Sequence, residues 1–147
     1  MAQTGVPVDP YRNFNFLVEI DGIAQANFME CSGLDATTEI IEYREGGENT
    51  TMRKLPGKTT YSDLTLKWGL TDASKEIWAW RKQVIQGNVQ RRNGSIVVYD
   101  LANSKEVARW NFVRGWPTKW EGPNWDARGK DVAIEMLTIA HEGLDRV

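Results

Sequence analysis

The chain has 147 residues, 18 basic and 20 acidic side chains, and a net charge of -2. That is the length of one ordinary domain, able to bury roughly two thirds of its unfolded surface. The balance excludes the basic excess of a nucleic-acid binder and the acidity of a disordered tail. The lone cysteine, Cys31, excludes an internal disulfide and a multi-cysteine metal site. Seven tryptophans are many for this length, and such rings need cover from a core, a ligand or another subunit.

Residues 1–12 read as an N-terminal arm without a charged n-region or an apolar h-region, so cytoplasmic synthesis without a signal peptide is expected. No apolar run approaches the roughly 18 residues of a membrane span, and stable insertion of the monomer is not expected. Phe14, Phe16, Val18 and Ile20 alternate with polar residues and predict a strand with one buried face. Asp21-Gly22 predicts a hairpin turn, and Ala24, Ala26 and Phe28 a returning strand towards Cys31. A third strand is predicted over residues 37–44, rich in β-branched and aromatic side chains. Residues 45–60 are the least hydrophobic stretch, with three glycines and one proline, and read as an extended loop or hairpin arm.

Leu64, Leu66, Trp68 and Leu70 form the cleanest one-sided strand pattern. A helix follows over 73–86, with Thr71 or Asp72 as cap and an apolar stripe of Ala73, Ile77, Trp80 and Val84. Gly87 suits the C′ position. Strands are predicted at 95–100 and 107–114, the second placing Ala108, Trp110 and Phe112 on one face. Residues 116–131 carry Pro117, Gly122, Pro123 and Gly129 and read as irregular or edge structure. The last strand, 132–141, is apolar on both faces: Val132, Ile134 and Met136 on one, Leu137 and Ile139 on the other. Such a strand has the core on one side and a helix or neighbouring chain on the other. The sum is a mainly antiparallel β-barrel or sandwich with one flanking helix.

Chemistry is sparse. Leu55-Pro56-Gly57-Lys58-Thr59 resembles the end of a phosphate loop, but Met52 stands where a glycine is needed and a strand follows instead of a helix. His141 is the only histidine, and no spacing pairs it with Cys31 or a serine. Cys31 reads as a small buried hydrophobe. No metal-ligand cluster and no cofactor site is expected. Glu135 is the one acid set in an apolar strand; it is either a buried acid or a salt-bridge partner at a subunit boundary. Trp110, Trp116, Trp120 and Trp125 could stack on a sugar, or pack under a crossover or against another chain.

Several segments resemble the tail-tube proteins of contractile injection systems: contractile phage tails, extracellular phage-tail-like particles and, more distantly, the type VI secretion tube. They are Pro10-Tyr11-Arg12-Asn13-Phe14-Asn15-Phe16, Cys31-Ser32-Gly33-Leu34, Ile41-Glu42-Tyr43-Arg44-Glu45-Gly46-Gly47, Lys54-Leu55-Pro56-Gly57, Trp116-Pro117 and the run 132–141. The resemblance covers nearly the whole chain and rests on the order and spacing of these segments.

It implies a single tail-tube-like domain without catalysis or cofactor. Six copies would form a ring, and rings would stack into a hollow tube driven through a target membrane by sheath contraction. The expected partners are further copies of the chain, the sheath, baseplate and cap proteins of the particle, and cargo in the lumen, with no nucleic-acid sequence recognition. The candidate inter-subunit contacts are Tyr43, Arg44, Glu45, Glu48, Arg53, Lys54, Lys58, Trp120, Trp125 and Glu135. Their mixed charges suit complementary pairing between copies. Two alternatives stand beside this reading: a β-sandwich carbohydrate-binding module using the Trp110–Trp125 cluster, and a small enzyme on a β-barrel.

Overall fold

The structure is a computed structural model that describes residues 15–23, 28–44, 46, 52–72, 74–100, 105–125, 128–129 and 133–147. Residues 1–12 of the expected N-terminal arm lie outside them, as do Glu45 and Glu48. In chain order the elements are β1 (Asn15–Ile20), β2 (Phe28–Ser32), β3 (Ala36–Tyr43), β4 (Arg53–Tyr61), β5 (Leu64–Gly69), α1 (Ser74–Ile85), β6 (Arg92–Asp100), β7 (Lys105–Glu121), β8 (Ile134–Ala140) and β9 (Gly143–Arg146).

Alternation decides the core. Leu64, Leu66 and Trp68 of β5 are completely buried, while Thr65 and Lys67 face outward. Val18 and Ile20 of β1, Ile96 of β6, Phe112 of β7, and Leu137 and Ile139 of β8 join them. Each fully buried side chain of this size contributes about 1.5–3 kcal/mol of transfer free energy. From α1 come Ile77 and Trp80; Val84, on the same stripe, is half-buried. The helix ends as expected at Gly87, which has φ 84°. The Gly87 N–H donates to Val84 O and the Asn88 N–H to Gln83 O, the paired bonds of a Schellman cap. Its first turn is held by the main-chain carbonyls of Thr71 and Asp72, which accept from Ser74 N–H and Lys75 N–H.

Hydrogen bonding runs β1-β6-β7-β8-β5-β2, all antiparallel, with β9 on the far side of β7. β7 belongs to two sheets. Its first half pairs with β6 and β9, and Trp116–Glu121 pairs with β8. The switch falls at Arg114, whose φ of 52° breaks the extended run. Asn93 Oδ1 satisfies the Arg114 N–H there at 2.9 Å. Gly115 follows because a Cβ would stand 2.8 Å from Phe112 Cε2. Among the described residues β1 and β2, the two ends of the path, share no ladder, so the sheets form an open sandwich and not a closed barrel.

Three expectations need correction, and one is decided between its two alternatives. Asp21-Gly22 does turn the chain, and Ile20 bridges Ile23, but β1 pairs with β6 and β2 with β5. β1 buries Val18 and Ile20 in the main core, and residues 24–27, with Ala24 and Ala26 of the expected returning strand, lie outside the described residues. Residues 116–121, read as irregular or edge structure, take the second form: they continue β7 as a strand that, among the described residues, pairs with β8 alone. Pro117 is tolerated because, among the described residues, this half of β7 has one partner strand. The last strand does not close the chain, since β9 follows it back onto β7. Leu70 lies past the end of β5 and is exposed.

Candidate functional site

Two features remain uncovered. The first is the β3–β4 hairpin, which forms a two-stranded sheet of its own. Residues 53–60, half of the stretch left open between loop and arm, are strand β4. Every residue of β3 is exposed, and so is most of β4. A two-stranded hairpin is marginal in water by itself, and a cross-strand contact of Thr38 Oγ1 with Thr59 Oγ1 at 2.9 Å adds little. Ile40, Ile41, Tyr43 and Leu55 are nonetheless between 46% and 61% exposed. Aliphatic side chains massed on a polar arm mark a contact surface.

The arm's register sorts its faces. Ile41 stands opposite Leu55 and Tyr43 opposite Arg53, which puts these four on one face. Ile40 opposite Pro56 and Glu42 opposite Lys54 form the other. One face therefore carries Ile41, Tyr43 and Leu55 beside Arg53, and the other Ile40 and Pro56 beside Glu42 and Lys54. Lys58 and Arg44 are exposed on the same arm.

The second feature is a groove of about 610 Å³ between the start of α1 and the end of β7. Trp78 and Trp120 build its wall, with ring centroids 4.7 Å apart at 55°. Glu135 lies at its base, 3% exposed. Trp120 Nε1–H donates to Glu135 Oε2 at 3.1 Å, and Ser74 Oγ–H to Glu135 Oε1 at 3.3 Å. Ser74 Oγ also lies 2.6 Å from Thr71 O, so its proton is shared between two acceptors. Of the two readings of Glu135, the buried acid is the one realised within the chain. Asp72 and Lys75, 3.9 Å apart, stand on the rim.

The tryptophan cluster is largely used up inside the fold. Arg146 lies 5.5 Å over the Trp110 ring, and Trp120 is engaged with Trp78 and Glu135. Trp116 is half-buried, and Trp125 alone of the four stands in solvent, at 76% exposure. They do not form the continuous exposed platform that stacking on a sugar requires. Trp78 was not anticipated as a functional residue. The available signal was its place beside Ile77, which widens the helix's apolar stripe.

Cys31, His141 and Arg109 are tied into the fold. Burial, with Glu30 beside it, pushes the Cys31 thiol up to about 11, which removes it as a nucleophile at neutral pH. His141 lies with Nδ1 3.1 Å from Gly143 O and Nε2 3.0 Å from Ser62 O, tying the root of the arm to the β8–β9 turn. Arg109 pairs with Glu106 at 2.6 Å and Glu19 at 3.4 Å, and this hydrogen bonding holds Glu106 below the usual carboxylate range. A second, polar hollow of about 340 Å³ is lined by Glu19, Asp21 and Arg109, of which Arg109 is already paired with Glu19. Among the described residues no group of three or more His, Cys, Asp or Glu could hold a metal ion, and no helix is long and apolar enough to cross a membrane.

A family model for the T4-like virus tail tube protein gp19 matches residues 12–145. No curated protein matches in sequence. Among solved structures the chain is similar to one in the sheath–tube complex of the extracellular contractile injection system PVC in its extended state. The TM-score is 0.84 at 25% identity, over 94% of this chain and 91% of that one. It is similar to one in the tube-terminating cap of the anti-feeding prophage to the same degree, with TM-score 0.84 and 25% identity over 100% and 99% of the two chains. With Hcp1 from Flavobacterium johnsoniae the likeness is of fold alone, at TM-score 0.63 and 16% identity over 90% and 94%.

Proposed function

Because this chain belongs to the T4-like virus tail tube protein gp19 family, we propose that it builds the inner tube of a phage-tail-like particle as hexameric rings stacked end to end. Its role is mechanical, without catalysis or cofactor. A surrounding sheath contracts and drives the tube through a target membrane. Baseplate and cap proteins terminate the stack, and the setting is an extracellular particle, as in the PVC and anti-feeding prophage assemblies whose chains it resembles. The same family membership leaves the sugar-binding alternative without support.

One observation carries the reading: the β3–β4 arm, which exposes Ile40, Ile41, Tyr43 and Leu55 on a hairpin separate from the main sheets. An arm of this kind is stable once a neighbour covers it. Among the described residues the sheet ends β1 and β2 each have one partner strand, and adding a neighbour's strand there extends the sheet from copy to copy. Ring closure and head-to-tail stacking are then two contacts: one closes by rotation, the other propagates without closing.

Light scattering and negative-stain microscopy on the purified chain test this. Six-fold rings, or tubes of constant width, are expected at micromolar concentration. A chain that stays monomeric at every concentration overturns the proposal.

A further inference from the structure

We propose that His141 is a proton-dependent latch at the root of the β3–β4 arm. As the imidazolium it donates to the carbonyls of Ser62 and Gly143 together, and as neutral imidazole it holds only one of them. The latch is a property of the folded chain and stands apart from the tube reading.

The chemistry of the two partners carries this. His141 Nε2 lies 3.0 Å from Ser62 O, and Nδ1 lies 3.1 Å from Gly143 O. A main-chain carbonyl oxygen only accepts, so each contact needs a proton on the ring nitrogen. Neutral imidazole carries one N–H and one lone pair, and either tautomer leaves the lone pair facing a carbonyl. Only the imidazolium serves both. The ring does not turn away cheaply, because Tyr61 brackets it at 5.7 Å, tilted 47°, and Phe112 at 6.1 Å, tilted 51°. Phe112 is itself fully buried. The other titratable groups around the ring come from three places. Tyr61 belongs to β4, Asp63 follows Ser62 in the turn into β5, and Glu142 precedes Gly143 in the β8–β9 turn. Glu142 is ion-paired with Arg114 of β7.

The two carbonyls belong to parts that can move against each other. Ser62 follows the last residue of β4, and its N–H donates to Asp35 O at 3.2 Å, which closes the root between the two strands of the arm. Gly143 opens β9, which is paired to β7 in the body of the fold. Among the described residues β3 and β4 pair only with each other. His141 therefore sets the angle of the arm to the sheets at its pivot. The steps from Ala36 to Tyr43, at about 3.3 Å each, put the far end of β3 roughly 23 Å from the root, so a small rotation there displaces it widely. Histidine ordinarily changes charge between about pH 5 and 8. The arm is accordingly held in mild acid and released as pH rises.

His141 is the only histidine, so 15N-histidine labelling of the full chain gives a single imidazole to read by NMR. Both ring nitrogens are expected to carry protons at about pH 5.5, and one of them at about pH 8. The second readout is hydrogen exchange of the Ser62 and Asp35 amides, corrected for the intrinsic chemical rate, with light scattering confirming one assembly state at both pH values. Their protection is expected to fall roughly three-fold or more between the lower and the higher pH, in keeping with the loss of one hydrogen bond. The Leu66 amide of β5, between β2 and β8, is the internal reference and should not change. His141→Gln has one donor end and one acceptor end at every pH, and is expected to show the weaker protection throughout. A ring that keeps a single proton across the whole range overturns the latch, as does a Ser62 amide equally protected at both pH values. The same pH dependence in His141→Gln also overturns it, by assigning the effect to Asp63 or Glu142. Should that variant fail to fold, the two readouts on the unmodified protein decide.

Discussion

Glu135 is a carboxylate 3% exposed whose two oxygens accept from Trp120 Nε1–H and Ser74 Oγ–H. Those bonds reduce the cost of burying the charge, and their loss leaves the Trp120 indole N–H unmatched in a low-dielectric site, while Ser74 Oγ–H keeps Thr71 O at 2.6 Å. Glu135→Ala is therefore expected to destabilise the monomer by about 2–4 kcal/mol, combining an orphaned donor with a cavity. Glu135→Gln keeps an acceptor for the indole and turns its amide to the Ser74 oxygen, so about 1 kcal/mol is expected. Urea unfolding decides, and equal losses for the two variants would show that the hydrogen bonds are immaterial. Cys31 makes the complementary case. Its thiol is raised to about 11 from 9.0 by burial and by Glu30. The folded state then holds a proton that the unfolded chain releases. The contribution of Cys31 to stability is accordingly flat below pH 9.0, falls as pH rises from there, and levels off past about 11. At pH 8 the same shift makes Cys31 roughly 100-fold poorer in thiolate than in the unfolded chain. Iodoacetamide labelling followed by mass spectrometry should be correspondingly slow in native protein and fast in urea. Equal rates in both would remove burial as the cause.

Elements were legible in the sequence where burial and local pattern agree. β5 and α1 are cases in point: Leu64, Leu66 and Trp68 alternate and are fully buried, and the helix spans Ser74–Ile85 against an expected 73–86. β4 was not legible as a definite strand because neither of its faces is buried in its own chain, so no alternation was selected. The continuation of β7 past Arg114 was hidden by Pro117, whose missing donor matters only where a strand has partners on both sides. The Trp78–Trp120–Glu135 constellation was only half legible. Trp120 and Glu135 stand out as residues, but their meeting with α1 is a product of packing. Close packing also explains Gly94, where β6 passes between β1 and β7. A Cβ there would stand 2.3 Å from Phe112 Cζ and 2.6 Å from Glu19 O. Phe112 is fully buried and the Glu19 carbonyl is backbone, so neither yields cheaply. Gly94→Ala is expected to cost about 3 kcal/mol or more by overpacking, read as a fall in the denaturant midpoint. A variant as stable as the parent would mean that β1 and β6 are looser than their register implies.

At the scale of the whole molecule, folding and assembly draw on different residues. The core of Val18, Leu64, Trp68, Trp80, Phe112 and Leu137 lies under the main sheets and α1, and among the described residues none of β3 or β4 belongs to it. Charge reversal on the arm therefore separates the two processes. Arg53→Glu with Lys54→Glu replaces the cation on the apolar face and sets a carboxylate opposite Glu42. Like charges across a strand pair cost about 0.2–1 kcal/mol, and exposed substitutions elsewhere stay within about 0.5. The unfolding midpoint of the monomer should shift by no more than that. Assembly faces a larger penalty, because mixed charges on the arm suit complementary pairing between copies and the same joint repeats along the stack. The double variant is expected to fold and to fail at tube formation. High salt should weaken joints between parent copies by screening the same attraction. Microscopy on variant and parent, paired with their unfolding curves, reads both halves at once. Full-length tubes from the variant would place the arm's cations outside the joint, and an unfolded variant would show that the arm supports the monomer after all.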